Sequence, residues 1–294
     1  MFDRAKYRSH SEIDWRTLKD PVATVKYDGA NYFLPVEADG SLRFFSRRES
    51  VKGGFPERTQ QLPHLTNKKL PGFAGQVFNV ELIHSGFSPY GKESHREVSG
   101  ILNSLKDRSI QTQSERGPVR AVLHNVITPE LATYKGKLVH MKALQDAFGD
   151  PKLLRVAEPS LGHVDIHKLI EETKLRGHEG VIITSLTTPE DKNTRVKIKH
   201  IQTFNLLVVD ILQEVDKDGK LKDSAGALVV ADRSGRIVAN VGTGFSKEQR
   251  YEIWHNKPAW IHRLIQVKTM GLSASRLRMP VYNGDADGEL DLVE

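Results

Sequence analysis

The 294-residue sequence has no cysteine, which excludes disulfides, thiol catalysis and cysteine-based zinc sites. It has no apolar run near the ~20 residues that span a bilayer, so no membrane partner is expected. It has no internal repeat and no low-complexity tract. The opening MFDRAKYRSHSEIDW is too polar for a secretory leader, and a cytoplasmic location is the expectation. Hydrophobic residues make up 38% of the chain and aromatics 7%. That composition suits a soluble globular protein, long enough for one large domain or two ordinary ones.

What the chain has in excess is positive charge. The net charge is +6, and it is unevenly placed: residues 1–199 hold 31 bases against 24 acids, and the rest 12 against 13. Five acids (Asp285, Asp287, Glu289, Asp291 and Glu294) crowd the last ten residues. A basic run from Arg43 to Lys69 (Arg43, Arg47, Arg48, Lys52, Arg58, Lys68, Lys69) reads as an exposed loop and hairpin suited to a phosphate backbone. Nucleic acid is the partner this charge favours.

Strand-forming stretches dominate the first part: ATVKY, NYFLPVEA, a turn at Asp39-Gly40, SLRFFS, GQVFNVELI (75–83), RAVLHNVI (120–127), GVIITS and TRVKIKH. Helical spacing fits 94–105, 137–149 and 163–177, with Gly149 and Gly177 as C-caps. After His200 come FNLLVVDILQEV, GALVVAD, IVANVGTG and RLIQVKTM as short strands around one helix, SKEQRYEIWH. The reading is an α+β fold: an antiparallel-sheet domain over 1–202, then a small β-barrel of oligonucleotide-binding (OB) type over 203–294. His163 and His167, four apart, lack companion ligands and read as a solvated helix face. The glycines of VGTG read as a tight barrel turn.

The stretch TVKYDGANYF (24–33) holds Lys26 at a strand end beside Asp28 and a glycine. Four further motifs follow in order: SRR at 46–48, VEL at 80–82, EGVII at 179–183 and KIK at 197–199. A free lysine, with a pKa near ~10.4, is a nucleophilic amine in only about one molecule in a thousand at neutral pH. Neighbouring cations and burial favour the amine. Lys197 and Lys199, two apart on a strand, share one face and would supply such cations.

This ordered set resembles the covalent nucleotidyltransferases, which include ATP-dependent DNA ligases, RNA ligases and mRNA capping enzymes. The stretch ALVV…VGTGFSKEQR is similar to the barrel of the ATP-dependent DNA ligases. The resemblance implies a nucleotidyltransferase domain whose Lys26 attacks the α-phosphorus of ATP and becomes lysyl-AMP. The AMP then passes to a 5′-phosphate, and a 3′-hydroxyl displaces it. Asp28 would assist the later steps, and Arg47 would contact the sugar or phosphate side. Glu81 and Glu179 would hold the ribose or a catalytic Mg²⁺, and Lys197 and Lys199 would neutralise the triphosphate. His124 stands where an aromatic ring stacks on adenine, and Arg278 where a cation orients pyrophosphate. The implied partner is nicked duplex DNA, sealed by a compact monomeric enzyme.

Three departures from the DNA ligase pattern stand out. Asn31, which by the resemblance would contact the nucleotide, replaces an arginine, as in some RNA ligases; Thr24 replaces a glutamate; and His124-Asn125 replaces an F-D pair. The C-terminal motif keeps Arg278, Pro280 and Tyr282, but acids follow where Arg and Lys are usual. From this the acidic tail is expected to lie apart from the nucleotide, so that deleting 285–294 leaves adenylylation nearly unchanged. An RNA ligase and a catalytically retired binding module remain the alternatives.

Overall fold

The computed structural model describes residues 14–51, 53–84, 95–128, 130–176, 178–191, 193–273 and 275–293. The chain packs as two compact units, Met1–Lys199 and His200–Glu294.

In the first unit, strands and helices interleave. The strands are β1 (Pro21–Lys26), β2 (Ala30–Pro35), β3 (Phe45–Ser46), β4 (Val77–Ile83), β5 (Arg120–Val126), β6 (Leu154–Val156), β7 (Ser160–Leu161), β8 (Gly180–Ser185) and β9 (Arg195–Lys199). The helices are α1 (Pro63–Thr66), α2 (His95–Leu102), α3 (Lys106–Arg116), α4 (Tyr134–Phe148) and α5 (Gly162–Leu175). Two sheets result, ordered β7-β1-β8-β9 and β3-β2-β4-β5-β6, antiparallel except for β5 with β6.

Each sheet buries one face, which decides what the other presents. In the five-stranded sheet, Leu34, Val80, Leu82, Ala121 and Leu123 enter a core with Val98 and Leu102 of α2 and Met141, Leu144 and Phe148 of α4. In the four-stranded sheet, Ala23, Val181, Ile183 and Val196 pack with Trp15 and with Ile166 of α5.

The elements match the hydrophobic periodicity, with instructive exceptions. Helix α4 begins three residues before the expected start because Thr133 caps it, its hydroxyl accepting from the Gly136 amide. The expected cap Gly177 lies outside the described residues. Helix α3, KDRSIQTQSER, carries almost no apolar pattern. It is anchored instead by buried Gln113, which donates to the Gln61 carbonyl at 2.7 Å and accepts from the Val119 amide at 3.0 Å. His163 and His167 remain exposed, yet both rings rest on Trp15, at 5.4 and 5.0 Å between centroids.

Several bases of the run from Arg43 to Lys69 have partners within the protein. Arg43 pairs with Glu37 and Glu57, Lys69 with Asp39, Arg58 donates to Asn103, and Lys68 donates to the Phe148 carbonyl. These four bases are committed to holding their own loops. Lys52 lies outside the described residues.

The second unit is a five-stranded antiparallel sheet in the order β12-β11-β10-β13-β16. Its strands are β10 (Gln202–Val215), β11 (Leu221–Ala231), β12 (Ile237–Val241), β13 (Leu264–Thr269) and β16 (Val281–Asp285), with a small pair β14 (Leu272–Ser273) and β15 (Arg276–Leu277). β10 and β11 form a long hairpin, bulged at three points. Helix α6 (Lys247–His255) starts in a capping box of Ser246 and Gln249, and α7 (Lys257–Trp260) follows. Leu206, Val230, Val241, Ile253, Trp260 and Val267 form the core. Among the described residues, no helix is long and apolar enough to cross a membrane.

The acidic tail is not a loose appendage. Asp285 ends β16 and pairs with Arg263. Asp291 accepts from the Asn205 amide at 2.7 Å and through its carbonyl from the Arg233 amide at 2.8 Å. Val293 is wholly buried in the core of the unit. Deleting 285–294 is therefore not neutral to the fold, because it removes the last residue of β16 and the buried Val293. Val293→Ala should lower the unfolding free energy by roughly 1.5–2.5 kcal/mol, since two buried methyl groups are lost. Urea unfolding checks this, and an unchanged midpoint would contradict the packing.

Candidate functional site

The register of the four-stranded sheet brings three lysines together. Lys26 lies opposite Gly180, and Gly180 opposite Lys199. The next row on the same face is Thr24, Ile182 and Lys197. The alternate rows are Val25–Val181–Ile198 and Ala23–Ile183–Val196, of which Ala23, Val181, Ile183, Val196 and Ile198 pack with Ile166 of α5. Burying those apolar rows turns Lys26, Lys197 and Lys199 to the opposite face.

Glycine makes the middle of this arrangement possible. A Cβ on Gly180 would lie 1.9 Å from the Ile198 carbonyl oxygen, and its φ of +150° is one that side chains avoid. Gly29 plays a similar part after Asp28, where a Cβ would meet the Leu82 carbonyl at 2.3 Å. The β1–β2 turn thus lies directly against β4, beside Glu81.

Glu179, just before β8, is the counter-charge. Its carboxylate forms an ion pair with Lys26, and its other oxygen is 3.8 Å from Lys199. The Asp28 carboxylate accepts from the His95 amide at 3.4 Å. Arg47 follows β3, its amide donating to the Asn31 carbonyl.

The outer face of the five-stranded sheet supplies a second group. Asn31 on β2 lies opposite Glu81 on β4. Val80 pairs with Leu123 and Asn79 with Asn125, so His124 is the extra residue of a β-bulge. The Asn31 amide nitrogen is 3.0 Å from a Glu81 oxygen and 2.9 Å from His124 Nε2.

Burial and charge tune these groups. Burial pushes the Glu81 carboxyl up to about 7, against the Asn31 hydrogen bond and Lys26. Burial, then the charges of Arg195, Lys26, Arg47 and Lys197, holds His124 down at about 3, so its ring is neutral at physiological pH. Burial, with Lys26, Lys199, Arg195 and Arg47 adding to it, lowers Lys197 to about 8.

The structure thus gathers Lys26, Asn31, Glu81, His124, Glu179, Lys197 and Lys199 through contacts or mutual charge. Arg278 belongs to the second unit, where its carbonyl accepts from Thr269 Oγ1 at 2.7 Å. Arg195 was missed as a site residue. The alternation Arg195-x-Lys197-x-Lys199 on one strand was the signal, since it puts all three on one face. Lys26, Arg47, Arg195, Lys197 and Lys199 outnumber the nearby carboxylates, which suits a polyanion.

No family model and no curated protein sequence matches the chain. Solved structures do. One, from a study of DNA binding with a minimal scaffold in Lig E DNA ligases, is 15% identical with a TM-score of 0.70, covering 97% of this chain and 100% of that one. The fold is that of a DNA ligase. Two further structures, named Pmar-Lig_PreS3 and Pmar-Lig_Pre, match at TM-scores of 0.70 and 0.67 with 16% and 18% identity. They cover 95% and 94% of this chain, which spans 66% of each.

The titration of Lys197 has a measurable consequence. The folded protein keeps this charge below about pH 8 and loses it above. Affinity for ATP, used as a polyanion already ionised above neutrality, should fall as pH passes through about 8 without divalent metal. Lys197→Arg, which stays charged, should flatten that fall. Identical pH profiles for the two proteins would contradict the placement of Lys197.

Proposed function

We propose that the protein is an ATP-dependent ligase that seals 5′-phosphate/3′-hydroxyl nicks in duplex DNA. The observation that carries this reading is Lys26 at the end of β1, ion-paired to Glu179 and sharing a sheet face with Lys197 and Lys199. A lysine used only for binding needs no such enclosure. In the first step Lys26 Nζ attacks the α-phosphorus of ATP. The ammonium first loses a proton to solvent; as the P–N bond forms, the bond to pyrophosphate breaks, and the nitrogen's second proton also passes to solvent. In the second, the AMP passes to the 5′-phosphate of the nick and the lysine is regenerated. In the third, the 3′-hydroxyl attacks that phosphate, forms the phosphodiester and releases AMP.

The residues divide by charge. Lys197 and Lys199, with Arg47 and Arg195, neutralise phosphate oxygens, and most of the acceleration comes from this and from positioning. The neutral His124 lines the nucleoside side, and Asp28 serves the later transfers. Among the described residues no group of three or more acids and histidines forms a metal cage. Mg²⁺ binds through one or two carboxylates and substrate phosphates. Glu81 and Glu179 would hold it, and when bound it supplies charge neutralisation at the phosphates. DNA binding is mainly electrostatic and weakens steeply with salt.

Asn31, in place of the arginine of DNA ligases, favours a second reading in which the nick is in RNA. A panel of nicked DNA, nicked RNA and hybrid duplexes, each with ATP, GTP or NAD, decides between them. The expected result is fastest sealing of nicked DNA with ATP, abolished by Lys26→Ala. Faster sealing of RNA would establish the second reading. Nick binding without sealing under any condition would leave only a binding module.

A further inference from the structure

Lys26 and Glu179 meet as an ion pair, and the residues beside them in sequence meet as well. Tyr27 follows the lysine, His178 precedes the glutamate, and their rings lie edge to face at 6.4 Å between centroids. Edge-to-face pairs at this separation are favourable. Two contacts therefore join the end of β1 to the start of β8, one ionic and one aromatic.

The Tyr27 ring also reaches the other sheet. It packs against Ile83 on β4, Val122 on β5 and Ala157 just after β6, all three buried. Ile83 and Val122 alternate with the core residues Leu82, Ala121 and Leu123, so they lie on the outer face that carries Glu81. Val122 is the register partner of Glu81 itself. The guanidinium of Arg155 on β6 sits 5.5 Å from the ring centroid, with one nitrogen 3.4 Å from the hydroxyl. Tyr27 is thus a tie between the sheet that holds the lysines and the sheet that holds Glu81 and His124. A leucine would fill the apolar contacts with Ile83 and Val122 but would offer no ring to His178 or Arg155.

We propose that Tyr27 is a positioning residue: its ring holds the end of β1 so that Lys26 Nζ stays in place against Glu179 and the cations of β9. This inference rests on reading Lys26 as the nucleophile. Attack at phosphorus needs the amine aligned at about 3–3.5 Å, and small displacements are costly in rate. Affinity for the triphosphate comes from Lys197, Lys199, Arg195 and Arg47, so displacing Lys26 should affect rate more than binding.

The test separates the two, under conditions where urea unfolding shows every variant fully folded. Single-turnover formation of the AMP adduct is timed at saturating ATP with Mg²⁺, and ATP affinity is measured without divalent metal. In Tyr27→Leu the rate constant should fall at least tenfold, with affinity within twofold of the wild type. Tyr27→Phe, which keeps the ring, should retain most of the rate. Tyr27→Met replaces Tyr27→Leu if the latter does not fold, with the same expectations. An unchanged rate in Tyr27→Leu, equal losses of rate and affinity, or a rate that Tyr27→Phe does not preserve would each overturn the proposal.

A second readout needs no catalysis. Acetylation of Lys26 by acetic anhydride is scored by peptide mapping against the exposed Lys106. It should be at least threefold faster in Tyr27→Leu than in the wild-type chain, because the lysine is released from Glu179. Equal acetylation would overturn the proposal. Failure of the ligase reading gives a different result: the wild-type chain forms no adduct with ATP, and the acetylation ratio still decides whether Tyr27 places Lys26.

Discussion

Three ammonium groups held on one face of a small sheet repel one another, and the rest of the site depends on how that repulsion is contained. Like charges on neighbouring strands destabilise a sheet unless something opposes them. Opposing this is the buried side of the same sheet. Val181, Ile183 and Val196 are buried there, each contributing on the order of 1.5–3 kcal/mol. Because side chains alternate along a strand, the register that buries them is the register that aligns Lys26, Lys197 and Lys199. A slip by one residue would lose the core before it relieved the charge. Glu179 supplies the remaining compensation, between Lys26 and Lys199.

The second sheet handles the opposite problem, a carboxylate in a sheltered place. Glu81 sits among Asn31, His124 and the turn at Gly29, and its charged form is disfavoured by burial. The β-bulge at His124 brings in a ring that is neutral and can accept from Asn31, so the amide serves both neighbours. Cations are concentrated on β9 and at Lys26, while polar hydrogen-bonding groups gather on β2, β4 and β5. A molecule with a polyanionic end and a hydroxyl- or amine-bearing end matches that division.

Much of this was legible in the sequence. The strands holding Lys26, Glu81, His124, Lys197 and Lys199 are short, β-branched and alternating, and local pattern is enough to locate them. The helix α3 was not legible, because Gln113 anchors it through hydrogen bonds and no apolar stripe announces it. The anchoring of the tail was not legible for a related reason: Val293 is buried, and Asp285 and Asp291 find partners that only the fold brings close. The internal pairing of Arg43 and Lys69 likewise depends on acids brought close only by the folded loops. The contacts of Asn31 with Glu81 and His124 required the register of β2 with β4 and the bulge on β5. Neither is visible from the spacing of residues 31, 81 and 124.

The central claim is that Lys26 is the nucleophile and carries AMP. Peptide mapping by mass spectrometry, after incubation of the full chain with ATP and Mg²⁺, tests it most directly. The account predicts a single AMP adduct, acid-labile as a phosphoramidate is, on the peptide containing Lys26. An adduct on Lys197 or Lys199 instead, or unmodified Lys26 in a protein that still seals nicks, would contradict it.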